Sequence, residues 1–184
     1  MKIIKTYIED LVILEPQIYH DNRGYFFEAY TLEALKELDY HFKIVQENVS
    51  YSHRGVVRGL HFQDKPHTQA KLIRINQGNI LDVVVDLRKD SKTFKKVFSI
   101  ELSSAKGQML FVPKGFAHGF SALSENCQIS YSCDNFYNTK SENGIHPLDS
   151  ELAIDWKIPK EEMIISTKDL SQLTLSEVLQ NNLF

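Results

Sequence analysis

The chain has 184 residues, 42% of them hydrophobic and 24% charged, with a formal net charge of −3. That length suits a single domain, 1–184, with a buried core, and that composition excludes disorder. No Lys/Arg block marks a nucleic-acid footprint, and no apolar run reaches the roughly 18–20 residues that cross a bilayer, so neither nucleic acid nor membrane is an expected partner. Glu9 and Asp10 break the N-terminal apolar run before it can form a signal-like core, so the chain reads as cytoplasmic.

Val12, Ile13 and Leu14 begin an early strand that ends by Pro16. His20 to Gly24 is a turn cluster, and Tyr25 to Tyr30 follows as an aromatic strand. Thr31 is placed to cap a short helix over Leu32 to Leu38, with Glu33 in its first turn. Phe42 to Ser50 returns to extended structure. The clearest hairpin joins Lys71–Ile75 to Ile80–Leu87 across Asn76-Gln77-Gly78-Asn79, where glycine tolerates positive φ.

Strands follow at Val97–Leu102, Met109–Val112 and Cys127–Tyr131, and a short outer helix carries Leu173, Leu175, Val178 and Leu179. Turn signals recur roughly every 8–14 residues with few helices between them, the pattern of an all-β, mainly antiparallel sandwich or barrel. Cys127 and Cys133 share a strand face about 20 Å apart, too far to bridge, and read as reduced thiols.

Seven histidines are present, and two have unusual settings. His61 lies in Arg58-Gly59-Leu60-His61-Phe62-Gln63, where Gly59, His61 and Gln63 alternate with Leu60 and Phe62 to give one polar strand face. His118 follows the tight turn Pro113-Lys114-Gly115. Lys71 opens a neighbouring strand, and Arg58 stands three residues before His61. Strict alternation turns Arg58 to the opposite face, so its help needs a bulge, which Gly59 permits. Clustered positive charge in a cavity calls for an anion. A metal site competes with this reading, but a His-x-His pair would place histidine at position 63, which is Gln63. No metal is expected.

These segments resemble the dTDP-4-dehydrorhamnose 3,5-epimerase family, a branch of the cupins. The resemblance runs from about residue 5 to residue 175, through Asp21-Asn22-Arg23-Gly24-Tyr25-Phe26-Phe27-Glu28, Val45-Gln46-Glu47-Asn48, Arg58-Gly59-Leu60-His61-Phe62-Gln63, Gln69-Ala70-Lys71, Gly115-Phe116-Ala117-His118-Gly119-Phe120 and Ser166-Thr167-Lys168-Asp169. It implies a cupin jelly-roll barrel with a few peripheral helices. It also implies a cofactor-free homodimer that epimerises C3 and C5 of a dTDP-linked 4-keto-6-deoxyhexose, feeding rhamnose or a similar sugar into surface polysaccharide.

By the same resemblance His61 is the base, Asp169 the carboxylate that orients it, Lys71 with Arg58 the stabiliser of the enolate oxygen, and Tyr131 the acid. Arg23, Glu28, Gln46, Asn48, His118, Tyr137 and Lys168 fall at substrate-binding positions, Arg23 and Glu28 reaching in from a partner subunit. The chemistry suits these types. A neutral histidine can take a proton beside a ketone, a cation can hold the enolate, and a phenol can return a proton from the other face.

By their own sequence context Asp169 fits a solvated loop residue or a helix cap, Tyr131 a core aromatic and Arg23 a surface charge. Asp82 and Asp86 share one parity and could both support the site from within. One segment departs from the family pattern: where many members have Gly-Ile-x-Trp-Asn-Asp, this chain has Gly144-Ile145-His146-Pro147-Leu148-Asp149, which could touch the mouth of the site and alter substrate choice. The alternatives are inversion of C3 or C5 alone, a ketoisomerase, and a non-catalytic or metal-dependent sugar-binding cupin.

Overall fold

A computed structural model describes residues 1–38 and 40–181. Strands β1 (Lys2–Lys5), β2 (Val12–Glu15), β3 (Ile18–Asp21) and β4 (Gly24–Phe27) and helix α1 (Leu32–Lys36) come first. The body is β5 (Gln46–Ser52), β6 (Val56–Gln63), β7 (Lys71–Gln77), β8 (Asn79–Asp86), β9 (Val97–Ser103), β10 (Met109–Val112), β11 (Phe116–Ala122) and β12 (Cys127–Cys133). β13 (Glu142–Gly144), β14 (Ile164–Ile165), α2 (Thr167–Leu170) and α3 (Leu175–Gln180) follow. No helix among the described residues is long and apolar enough to cross a membrane.

One sheet has the order β1–β2–β10–β7–β12–β5, and the other β13–β6–β11–β8–β9 with β14 beside β6. Among the described strands only the β14–β6 pairing is parallel. The chain thus forms the expected mainly antiparallel jelly roll with short peripheral helices.

The core follows from period-two alternation. Along β8, Ile80 and Val84 face the opposite sheet and pack with Ile73, Leu110, Phe120 and Ile129. Leu81, Val83 and Val85 point the other way, onto Trp156, Leu175 and Val178 of the C-terminal segment. β8 is buried on both faces, so it reads as a continuous apolar run broken only by its aspartates. Each aliphatic side chain so buried contributes roughly 1.5–3 kcal/mol, and the C-terminal segment is thereby fixed to the back of the site.

The Lys71–Leu87 hairpin is corrected by the structure. β7 lies between β10 and β12 in one sheet, and β8 lies between β11 and β9 in the other. Gly78, at φ +82°, turns a corner between sheets, where a Cβ would collide with the Asn126 carbonyl. The aromatic strand stops at Phe27, short of Tyr30, and the strand expected from Phe42 starts at Gln46. Thr31 does cap α1, its Oγ1 accepting from Ala34 N at 3.1 Å, though the helix ends at Lys36. Cys127 and Cys133 are both free and buried.

Candidate active site

The site is organised by a bulge in β6. Opposite β11, His61 pairs with His118 and Arg58 with Phe120, so three steps along β6 match two along β11. The outward row changes parity at the same point, with Val57, Leu60 and Phe62 all packed into the C-terminal core cluster. Gly59 occupies the bulge at φ +120°, and a Cβ there would lie 2.5 Å from Gly119 Cα. Because of the extra residue, Arg58 and His61 both line a cavity of about 240 Å³ between the sheets.

His61 Nε2 donates to Asp169 Oδ1 at 2.8 Å, and Gly59 N donates to Asp169 Oδ2 at 3.2 Å. The cap of α2 is Ser166, whose hydroxyl accepts from Asp169 N at 3.0 Å. Asp169 therefore stands in the first turn of that helix, only 4% exposed. Burial pushes its carboxyl up, but the His61 bond and charge, the Gly59 N–H and Ser166 hold it below the usual carboxylate range. The ionised Asp169 fixes the proton of His61 on Nε2. Among the described residues Nδ1 has no hydrogen-bond partner, and the half-buried ring opens on the cavity.

Beside His61, His118 Nε2 donates to both oxygens of Asp82, at 3.0 and 3.1 Å. Asp86 shares that inward parity but serves elsewhere. It accepts from Arg88, Ser91 and Thr93 and secures the β8–β9 loop. Lys71 reaches into the cavity from β7, with no hydrogen-bond partner among the described residues, and burial holds its amine below the ordinary lysine range. Arg58 is steadied by Ser52 Oγ and the Tyr51 carbonyl, both at 3.1 Å. Across the cavity from the β6–β11 wall, the Tyr131 hydroxyl meets Ser50 Oγ at 2.5 Å. Its ring stands edge-on to His118, with centroids 6.2 Å apart.

The rim is built from amides and one carboxylate. Gln63 donates from Nε2 to the His67 and Phe136 carbonyls, and its Oε1 accepts from Asn138 N at 2.6 Å. Two loops are thereby tied together at the mouth. Gln46 Nε2 donates to Asn48 Oδ1, and Gln46 Oε1 accepts from Tyr137 N. Glu142 accepts from the Tyr137 hydroxyl at 2.5 Å and pairs with Lys168 Nζ at 2.7 Å. Those two bonds outweigh burial and keep its carboxyl low.

Of the residues singled out in the sequence, Asn48, Arg58, His61, Lys71, His118, Tyr131 and Tyr137 line the cavity. Asp169 backs His61, while Gln46 and Lys168 bond its rim. Arg23 and Glu28 do not line it. Arg23 sits at the tip of the β3–β4 hairpin, 86% exposed and paired with Asp21 at 2.6 Å, and Glu28 follows that hairpin.

Glu142 and Ser50 were missed. Glu142 lies in a three-residue strand that leaves no period to read. Ser50 was visible in the small polar row Asn48-x-Ser50-x-Ser52. The departing segment lies behind the site and does not touch its mouth. Ile145 exchanges backbone bonds with Leu60, and Asp149 Oδ2 accepts from Leu175 N at 2.6 Å at the start of α3.

Residues 5–177 match the family model described as dTDP-4-dehydrorhamnose 3,5-epimerase. A relative of that name from Methanothermobacter thermautotrophicus is 42% identical, with 96% of this chain and 95% of the relative covered. The crystal structure of the Elizabethkingia anophelis NUHP1 dTDP-4-dehydrorhamnose 3,5-epimerase is 47% identical, with a TM-score of 0.92 over 96% of this chain and 97% of that one. A Legionella pneumophila Philadelphia 1 dTDP-6-deoxy-D-glucose-3,5-epimerase, solved with dTDP-4-keto-L-rhamnose, is 40% identical, with a TM-score of 0.93 over 100% of this chain and 96% of that one.

Proposed function

This chain belongs to the dTDP-4-dehydrorhamnose 3,5-epimerase family, of cupin-like fold, and on that footing we propose that it inverts C3 and C5 of dTDP-4-dehydro-6-deoxy-D-glucose, giving dTDP-4-dehydro-L-rhamnose. The observation that carries the assignment of roles is the His61–Asp169 pair on the cavity wall, at 2.8 Å.

In this reading His61 Nδ1 takes the proton from the carbon beside the C4 ketone, and the electron pair moves onto the ketone oxygen. Asp169 stabilises the imidazolium, as the aspartate of a hydrolytic triad does. Lys71, with Arg58 and His118, receives the enolate oxygen; one preorganised donor of this kind is worth roughly 3–4 kcal/mol. Lys71 supports the role because a desolvated ammonium, with no bonded partner among the described residues, is relieved when an anion forms beside it. Tyr131 returns a proton from the opposite wall, and the ketone re-forms. Every group in this sequence is a side chain, and no cofactor enters it.

Asn48, Gln46, Tyr137, Lys168 and Glu142 would hold the nucleotide and diphosphate at the mouth. The cavity, at about 240 Å³, is smaller than the roughly 300–1,000 Å³ of sites for drug-sized ligands. It takes the sugar and leaves the rest of the substrate over the rim. The β3–β4 hairpin leaves Tyr19, Tyr25 and Phe26 at 63%, 60% and 71% exposure, a surface suited to a second copy. We propose a homodimer in which that hairpin covers the partner's mouth and supplies Arg23 and Glu28. The whole chain acts as one domain, and its two free thiols fit a reducing, cytoplasmic location.

The test is product NMR after incubation with dTDP-4-keto-6-deoxyglucose in D₂O, with no reductase present. Deuterium at C3 and C5 together with the L-rhamno product is expected. Deuterium at one carbon would make it a mono-epimerase, and exchange at neither would overturn the reading.

A further inference from the structure

One cavity residue has a bonding pattern that the roles above leave unused. Ser50 lies on β5, an edge strand of its sheet, where Asn48, Ser50 and Ser52 form one inward row. Asn48 and Ser50 line the cavity, and Ser52 steadies Arg58. Ser50 and Tyr131 stand on paired strands, Tyr131 opposite Asn48 and Ser50 opposite Ile129. Their hydroxyls meet diagonally at 2.5 Å, and among the described residues this is the side-chain hydrogen bond of each. A phenol that gives its proton to carbon must not spend that proton on a neighbour, and the phenolate it becomes needs a donor already in place.

We propose that Ser50 is the positioning residue of the reprotonation step: its hydroxyl donates to Tyr131 Oη, leaving the phenol's own proton directed into the cavity and receiving the phenolate charge once that proton has gone. The inference rests on Tyr131 being the acid. As the Tyr131 O–H bond breaks, the enolate's carbon–carbon π pair forms the new C–H bond and the oxygen's pair re-forms the C4 carbonyl. The phenolate left behind is held by Ser50 O–H. It regains a proton from water while the His61 imidazolium releases one to water, so the site resets without any oxidant or reductant.

The surroundings agree with this direction. Burial raises the phenol above its ordinary range, and the Ser50 bond acts against that rise. The charged or titratable groups around it are Arg58 and His61 on β6, Lys71 on β7, Asp82 on β8, His118 on β11, Cys133 on its own strand, and Tyr137 and Glu142 at the mouth of the same cavity. Arg58 lowers the phenol, whereas Asp82 and Cys133 raise it. Among these groups and Ser50, only Ser50 makes a hydrogen bond to the phenol oxygen.

The experiment compares wild type with Ser50→Ala, Ser50→Thr and Tyr131→Phe, each carrying 3-fluorotyrosine to bring phenol titration nearer neutral pH. The Tyr131 ¹⁹F resonance is assigned by its loss in Tyr131→Phe. In Ser50→Ala the titration midpoint should rise by roughly one pH unit, the size expected from one hydrogen bond. Turnover should fall about tenfold while substrate hydrogen still exchanges with D₂O. Ser50→Thr keeps the hydroxyl and should restore both midpoint and turnover. An unchanged midpoint in Ser50→Ala, or Ser50→Thr behaving like Ser50→Ala, overturns the role of Ser50. Full turnover in Tyr131→Phe would instead remove Tyr131 as the acid, a separate failure.

Discussion

Arg58 and His61 are three residues apart on one strand, yet they face one cavity, because β6 carries one more residue than β11 between them. The extra residue is accommodated by Gly59 lying against Gly119, two positions with no Cβ on adjacent strands. Gly59→Ala must adopt φ +120° and also push against Gly119 Cα and the His118 carbonyl. The backbone and overpacking costs together come to roughly 2–4 kcal/mol. Denaturant unfolding should show that loss, and turnover should fall further than stability because Arg58 and His61 move together.

His61→Ala should remove solvent exchange at the substrate carbons while nucleotide binding stays nearly intact. Asp169→Asn should leave His61 in place but lower turnover by roughly 10²–10⁴, the worth of a well-held general base. Deuterium uptake read by NMR, with dTDP affinity measured by calorimetry, checks both. Retained exchange in His61→Ala would remove it as the base.

Lys71 offers a case where activity and stability part. Its amine is held below the ordinary lysine range by burial, so the charged form costs the fold stability at every pH below that range. Lys71→Met is expected to cut turnover by about 10²–10³ and to unfold at no lower temperature than the wild type. A matched fall in both would make Lys71 structural.

Acid stability should be governed in part by Asp169 and Asp86. Burial raises both carboxyls, but the His61 bond on the first and the Arg88, Ser91 and Thr93 bonds on the second bring each below its ordinary value. A depressed carboxyl contributes stability that is present above its unfolded pKa, near 4, and is lost as pH falls through the folded value. Urea midpoints should therefore drop below about pH 4, and Asp86→Asn should show a shallower drop from a lower starting stability.

The hairpin that carries Arg23 tests the assembly. Phe26→Asp places a charge on a 71% exposed aromatic surface, so in a lone chain it should leave thermal unfolding unchanged. In the proposed dimer it should convert the species to monomer by light scattering and raise KM more than it lowers kcat. A monomeric wild type would end that proposal.

Much of this site could be read along the chain. The polar face carrying His61, the need for a bulge at Gly59 and the inward parity of Asp82 follow from period-two alternation, and all three hold. What the alternation could not supply is which sheet a strand joins. β7–Gly78–β8 has the local signature of a hairpin, and the same residues suit a corner, because both need a glycine with positive φ between two β-rich runs. Asp169 was hidden for a related reason. By its local context Asp169 reads as a solvated loop residue or a helix cap; the cap is instead Ser166, and only tertiary packing puts Asp169, buried in the first turn, behind a histidine 108 positions earlier. Glu142 belongs to a strand too short to have a pattern.

That separation has a bearing on how the molecule is made. Both sheets, apart from the two-residue β14, are complete in sequence by Gly144, whereas the carboxylate bonded to His61 arrives on α2, after a long segment wrapped around the back of β8. A ribosome therefore extrudes all the cavity walls before the carboxylate that bonds His61. Docking of that segment therefore does two things at once: it covers the outward row Leu81, Val83 and Val85 and sets Asp169 behind His61.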